Sequence, residues 1–181
     1  MKIQKQDKTK NTVINIVFFC LIACTIIVGP NINDPFNFPK MLILIIFSSA
    51  LIGILIPNFR EIIKYRFRID YFVIAYAFGL LISFIVSDQK IIAFFGDYLR
   101  KNGFISYFSL LVIFFVTYRF FRFNNFSMFH KIVISLSLLF VIYGYLQFTK
   151  RDFFNWNNPY NPIILTVGNP NFASALLDSL S

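Results

Sequence analysis

Residues 71–87 read YFVIAYAFGLLISFIVS, an unbroken run of seventeen positions without a charged side chain. Its apolar residues neither alternate nor keep to one helical stripe. A barrel strand in a membrane would be about ten residues long with two-residue alternation. A helix that is apolar on every side belongs in a core or a bilayer. The run is therefore read as a membrane helix. Four more follow the same pattern, at about 13–29, 41–56, 104–117 and 132–148. Crossing a hydrocarbon layer of about 30 Å takes about 20 residues at about 1.5 Å each. Most of these runs are slightly short, and flanking Lys, Arg and Tyr can snorkel to cover the difference.

Composition leads to the same class. The chain has 181 residues, of which 57% are hydrophobic, 20% aromatic and 14% charged. Mean hydropathy is +0.68. A soluble domain carries about 25% charged residues, and a chain this size has too little interior to hide the apolar excess. An ordinary soluble enzyme, a disordered tail and a disulfide-stapled secreted module are excluded. The expected fold is an all-α membrane protein: one polytopic helical bundle, 1–181, of five transmembrane helices and the start of a sixth at about 172. The chain stops before that sixth helix would cross, so truncation at the C-terminal end is expected.

The net charge of +9 does not point to nucleic acid, which needs basic residues gathered on one solvent face. Here they sit between the apolar runs. The tail (Lys2, Lys5, Lys8, Lys10), the 57–69 stretch (Arg60, Lys64, Arg66, Arg68) and the 118–131 stretch (Arg119, Arg122, Lys131) hold eleven of the seventeen. Lys40, Lys90, Arg100, Lys101, Lys150 and Arg151 fall on the other side, among Asp34, Asp88, Asp97 and Asp152. By the positive-inside rule the N-terminus is cytoplasmic. A signal peptide is the rival reading of the first run. No small-x-small site follows it, which favours a retained anchor.

Between the third and fourth runs, Ile91, Ile92, Phe95, Tyr98 and Leu99 recur at helical spacing, with Asp97, Arg100 and Lys101 off that face. This predicts a short helix in the membrane interface, or an extension of the fourth helix. The 149–171 stretch is rich in turn formers: Asn155, Asn157, Asn158, Pro159, Asn161 and Pro162. Gly168-Asn169-Pro170-Asn171 follows and opens the last apolar segment.

Catalytic motifs of soluble enzymes are absent. Cys20 and Cys24 lie on one helix face without further ligands nearby in sequence, which reads as packing rather than a metal site. His130, the only histidine, reads as a solvated interface residue. No ionisable residue falls at the middle of a run, and Asp70 at the rim of the third is the closest. That counts against a self-contained ion-coupled transporter. Arg100, Lys101, Lys150 and Arg151 flank two outward stretches. They would either anchor the interface or hold the phosphates of a lipid-linked substrate.

Two segments carry a resemblance. Phe95-Gly96-Asp97-Tyr98-Leu99-Arg100-Lys101-Asn102-Gly103-Phe104-Ile105 resembles the G-x-x-x-R-x-x-G-hydrophobic segment of the O-antigen ligase-like family. Thr166-Val167-Gly168-Asn169-Pro170-Asn171-Phe172-Ala173 is similar to that family's G-T-x-G-N-P-N-hydrophobic-A segment. The resemblance covers about residues 88–178. It implies a multi-pass protein of the bacterial inner membrane, without metal or other cofactor. Such a protein moves a glycan from an undecaprenyl-pyrophosphate carrier to an acceptor during cell-surface polysaccharide assembly. Its partners are then that lipid-linked glycan and membrane lipids. On that basis Arg100 and Lys101 would face the carrier pyrophosphate or glycan. Asn169 and Asn171 would hydrogen-bond sugar or cap the next helix. The family's catalytic histidine and further arginines lie in a large outer loop beyond Ser181, so catalytic residues are not expected in this chain. The alternatives are a non-enzymatic membrane subunit or half of a transporter.

Overall fold

The computed structural model describes residues 2–63, 68–98, 100–154, 163–169, 171, 173–175 and 178, side chains excepted at 2–8, 58–63 and 123. Every regular element among the described residues is helical. The helices are α1 (Lys2–Ile26), α2 (Asn37–Ile63), α3 (Arg68–Val86), α4 (Lys90–Phe95), α5 (Phe104–Phe120) and α6 (Phe126–Phe148). A single 3₁₀ turn, Phe123–Asn125, precedes α6.

Among the described residues, four helices are long and apolar enough to cross a membrane: α1 from Thr9, α2 as far as Pro57, α3 and α6. At about 1.5 Å per residue, α3 spans about 28 Å and α6 about 34 Å. The fourth expected span, α5, has 17 residues. Its length of about 26 Å falls short of a full hydrocarbon layer. Most of the helices begin earlier than the apolar runs because polar residues extend them: α1 takes in the lysine tail, and α2 starts at Asn37. Pro57 lies within α2, where it removes one backbone donor.

The chain separates into two compact units, residues 1–21 with 41–121 and residues 22–40 with 122–181. In the first, Val13, Leu51 and Val116 form a buried core joining α1, α2 and α5. Ser48 Oγ donates to Ser109 Oγ at 3.0 Å between α2 and α5. Such a bond between membrane helices contributes about 0.6–2 kcal/mol, so the apolar packing around it dominates. Arg119 in the last turn of α5 bonds Asp70 in the first turn of α3 at 2.5 Å. In the second unit, Leu136 and Phe140 of α6 pack with Leu165 and Ala173.

The stretch between α3 and α5 differs from either expected form. A helix exists but covers only Lys90–Phe95, and Tyr98 lies in the loop after it. Leu99 is outside the described residues. Aromatic packing explains the helix's position: Phe94 of α4 sits 5.6 Å from Phe84 of α3 and 6.0 Å from Phe104 of α5, ring centre to ring centre. Ile91 and Ile92 remain exposed.

Candidate functional site

The 96–103 loop carries the first cationic pair. Gly96 and Gly103 close it, backbone against backbone. Gly96 has φ +86°, and a Cβ there would lie 2.2 Å from Asn102 N. A Cβ on Gly103 would lie 2.1 Å from Gly96 N and 2.4 Å from Phe94 O. Inside this neck, Lys101 N donates to Asp97 O at 2.9 Å. Ser106 Oγ of α5 donates to Lys101 O at 2.5 Å. Lys101 is thereby held at φ +50°, a left-handed backbone that is uncommon for a side-chain-bearing residue.

The loop sends its cations in different directions. Lys101 is half-buried, with Nζ 4.6 Å from the centre of the Tyr98 ring. Arg100 is exposed and makes no ion pair among the described residues. Lys90 turns back instead, and its ammonium donates to the Phe84 and Ile85 carbonyls. It completes the C-terminal end of α3, where free carbonyls attract a cation.

This geometry carries a prediction. Gly103→Ala forces the neck open, at a cost of about 1–3 kcal/mol for backbone displaced from its only fit. Tryptic cleavage after Arg100 or Lys101 in the membrane-embedded protein should speed up about tenfold or more. Gly53→Ala has nothing within 4 Å of the new methyl and should leave cleavage unchanged.

The second pair belongs to the other unit. Asn169 Oδ1 accepts from Asn171 N at 2.9 Å, and Ala173 N donates to Asn169 O at 2.9 Å. Asn169 is thus the N-cap of the final helical segment. Asn171 is exposed in its first turn, and its carbonyl accepts from Ser174 Oγ. Just before them, Gly168 has φ +76°, and a Cβ there would strike the Phe36 ring at 2.4 Å. Lys40 Nζ donates to Thr166 O at 2.7 Å, and Thr166 Oγ1 donates to Thr25 O. Asp34 caps the start of α2 through Oδ1, which accepts from Phe36 N at 3.3 Å and Asn37 N at 2.9 Å.

Sequence reasoning missed the residue that organises this segment. Gln147, 1% exposed in α6, accepts from Ile164 N at 3.0 Å and Leu165 N at 2.9 Å through Oε1. Its Nε2 donates to Asp152 Oδ2 at 2.9 Å, and Tyr143 OH donates to Asp152 Oδ1 at 3.1 Å. The signal was available: Gln147 is an amide inside an apolar run, and such residues are costly unless used. Lys40 was expected only among the basic residues of the outward side, and its bond to Thr166 was not foreseen. His130 is exposed, with Nδ1 2.8 Å from Phe126 O. Lys150 and Arg151 are exposed, whereas the turn formers at 155–162 lie outside the described residues.

The four expected site residues thus form two local pairs, Arg100 with Lys101 and Asn169 with Asn171, each fixed by a glycine-dependent turn. No protein-family model, curated protein or solved structure matches the chain.

Proposed function

We propose that this chain is the N-terminal part of a multi-pass glycan-transferring protein of the O-antigen ligase or polymerase type. In this reading it lies in the bacterial inner membrane with its N-terminus cytoplasmic. Its helices seat an undecaprenyl-pyrophosphate-linked glycan with the 96–103 loop facing outward. The observation that carries the reading is the closed glycine neck, which holds the Arg100 guanidinium exposed and without an ion-pair partner among the described residues. A planar guanidinium in that setting suits phosphate oxygens.

The chemistry follows from the leaving group. An acceptor hydroxyl forms a bond to the anomeric carbon while the bond from that carbon to the pyrophosphate oxygen breaks. The electron pair leaves with the pyrophosphate, and the hydroxyl proton passes to a base supplied beyond Ser181. Arg100 stabilises the charge growing on the leaving group, with Lys101 as a second cation. Asn169 caps a helix and so fixes the position of Asn171 at its start.

Binding of farnesyl pyrophosphate to the detergent-solubilised protein tests this reading. A charged hydrogen bond contributes about 1.5–3 kcal/mol, so Arg100→Ala should weaken binding about tenfold or more, and Arg100→Lys should weaken it less. Equal affinity for Arg100→Ala and the parent would end the assignment of Arg100 to phosphate.

A further inference from the structure

The C-terminal end of α6 is closed without help from charged side chains. Arg151 N donates to Leu146 O at 2.9 Å and Lys150 N to Gln147 O at 3.1 Å, the paired bonds of a Schellman turn. Thr149 N and Thr149 Oγ1 each donate to Tyr145 O at 3.0 Å. Three of the last four carbonyls of the helix are therefore in use. Lys90 caps α3 with its ammonium, but that task is already filled at the end of α6. The side chains of Lys150 and Arg151 are exposed, and neither makes an ion pair among the described residues. Asp152, the one acid of the turn, is taken up elsewhere. It accepts from Tyr143 OH at 3.1 Å, Gln147 Nε2 at 2.9 Å and Phe154 N at 3.2 Å. The turn thus offers two cations on a backbone fixed from both sides.

The choice of residue points to a use for them. Lys150 has φ +58°, at the position after a helix where glycine is the usual occupant because it has no Cβ. A lysine there is strained, and such strain is kept where the side chain serves a purpose. The surroundings indicate which. The helix is long and apolar enough to cross a membrane, so its end lies where headgroups begin. Tyr145, Phe148 and Phe153 are exposed around the turn, Phe153 to 78%. Aromatic side chains collect at that depth of a bilayer, and cations beside them reach lipid phosphates. An ammonium and a guanidinium together suit a phosphate oxygen set. A zwitterionic headgroup brings its own cation to the same place, whereas an anionic one leaves the phosphate charge to the protein.

We propose that the turn at the end of α6 binds anionic phospholipid, with Lys150 and Arg151 on the headgroup phosphate and Phe153 in the acyl boundary. The proposal uses neither Arg100 nor the glycan-transfer reading. The test is native mass spectrometry of the whole detergent-solubilised chain, titrated with dioctanoyl phosphatidylglycerol and dioctanoyl phosphatidylcholine. The parent should bind the glycerol lipid about tenfold or more tightly than the choline lipid. Lys150→Gly/Arg151→Gln should lose most of that preference, and Arg100→Gln/Lys101→Gln should keep it. Lys150→Gly alone separates binding from structure. Glycine suits the turn, so the unfolding midpoint in mixed detergent should hold or rise while affinity for the glycerol lipid falls. A lower midpoint with lipid binding intact would make Lys150 a helix-end residue and overturn the proposal. Equal binding of the two lipids by the parent overturns it whether or not the variants fold. Displacement of the glycerol lipid by inorganic phosphate at equal concentration also overturns it, because the site would then serve a small anion.

Discussion

Arg119→Met lowers the unfolding free energy by about 3–5 kcal/mol, the usual result of removing one partner of a buried ion pair. The two side chains are 9% and 10% exposed, and their charged atoms are 2.5 Å apart. Methionine fills much of the arginine's volume, so the loss is mainly electrostatic: the Asp70 carboxylate loses its bond to the guanidinium. The pair also suits both helix ends, with an acid in the first turn of α3 and a base in the last turn of α5. Arg119 also lies over the Phe115 ring, 5.5 Å from its centre. In the double variant Asp70→Leu/Arg119→Met no charge is stranded, and most of the loss should be recovered. Unfolding curves in mixed detergent measure all three proteins. A single variant as stable as the parent would show that the pair contributes nothing.

Gln147→Leu should cost about 2–5 kcal/mol in the same assay. The substitution preserves shape and adds apolar surface, which by itself is neutral or favourable. But Ile164 is 3% exposed and Leu165 fully buried, and both amides lose their acceptor. A buried donor left unsatisfied costs about 1–3 kcal/mol. Leu165 also has φ +48°, a strained backbone that persists only while its neighbours hold it. Gln147→Glu keeps an oxygen for the two amides but faces the Asp152 carboxylate with another. It should therefore fall between the parent and Gln147→Leu. If Gln147→Leu unfolds like the parent, the 163–168 segment is held by its apolar contacts and the Thr166 bonds without need of Gln147.

The membrane helices were legible because a bilayer demands long runs without charge, and residues 71–87 meet that demand without reference to any neighbour. The ends of the helices were less so. Lys2–Lys10 is largely polar and Asn37–Lys40 has polar ends, yet both are helical, since helix formation does not stop where hydrophobicity does. The α4 helix was found, but its end was placed too late. The pattern of Ile91, Ile92, Phe95 and Tyr98 continues past Gly96, whose backbone conformation breaks the helix. In the candidate site, the two motif glycines could be named as loop formers, but their mutual contact spans seven residues and no periodicity reveals it. The links from Gln147 to Leu165 and from Lys40 to Thr166 join distant positions through single polar side chains. Nothing local in the sequence announces such partners. The Asp70–Arg119 pair was missed for the same reason: each residue was read alone, as a rim charge.

The bond from Lys40 to Thr166 sets an order of events during synthesis. The two residues are 126 positions apart, and chains emerge at about 5–20 residues per second. Lys40 therefore waits roughly 6–25 s for the carbonyl it will bind. Through that interval its ammonium needs water or a headgroup, which confines it to the surface of the bilayer. The unit that ends at Phe121 has no such wait, since all its parts have been made by then. It can consolidate first, and the other unit cannot close until Thr166 and Ala173 have arrived.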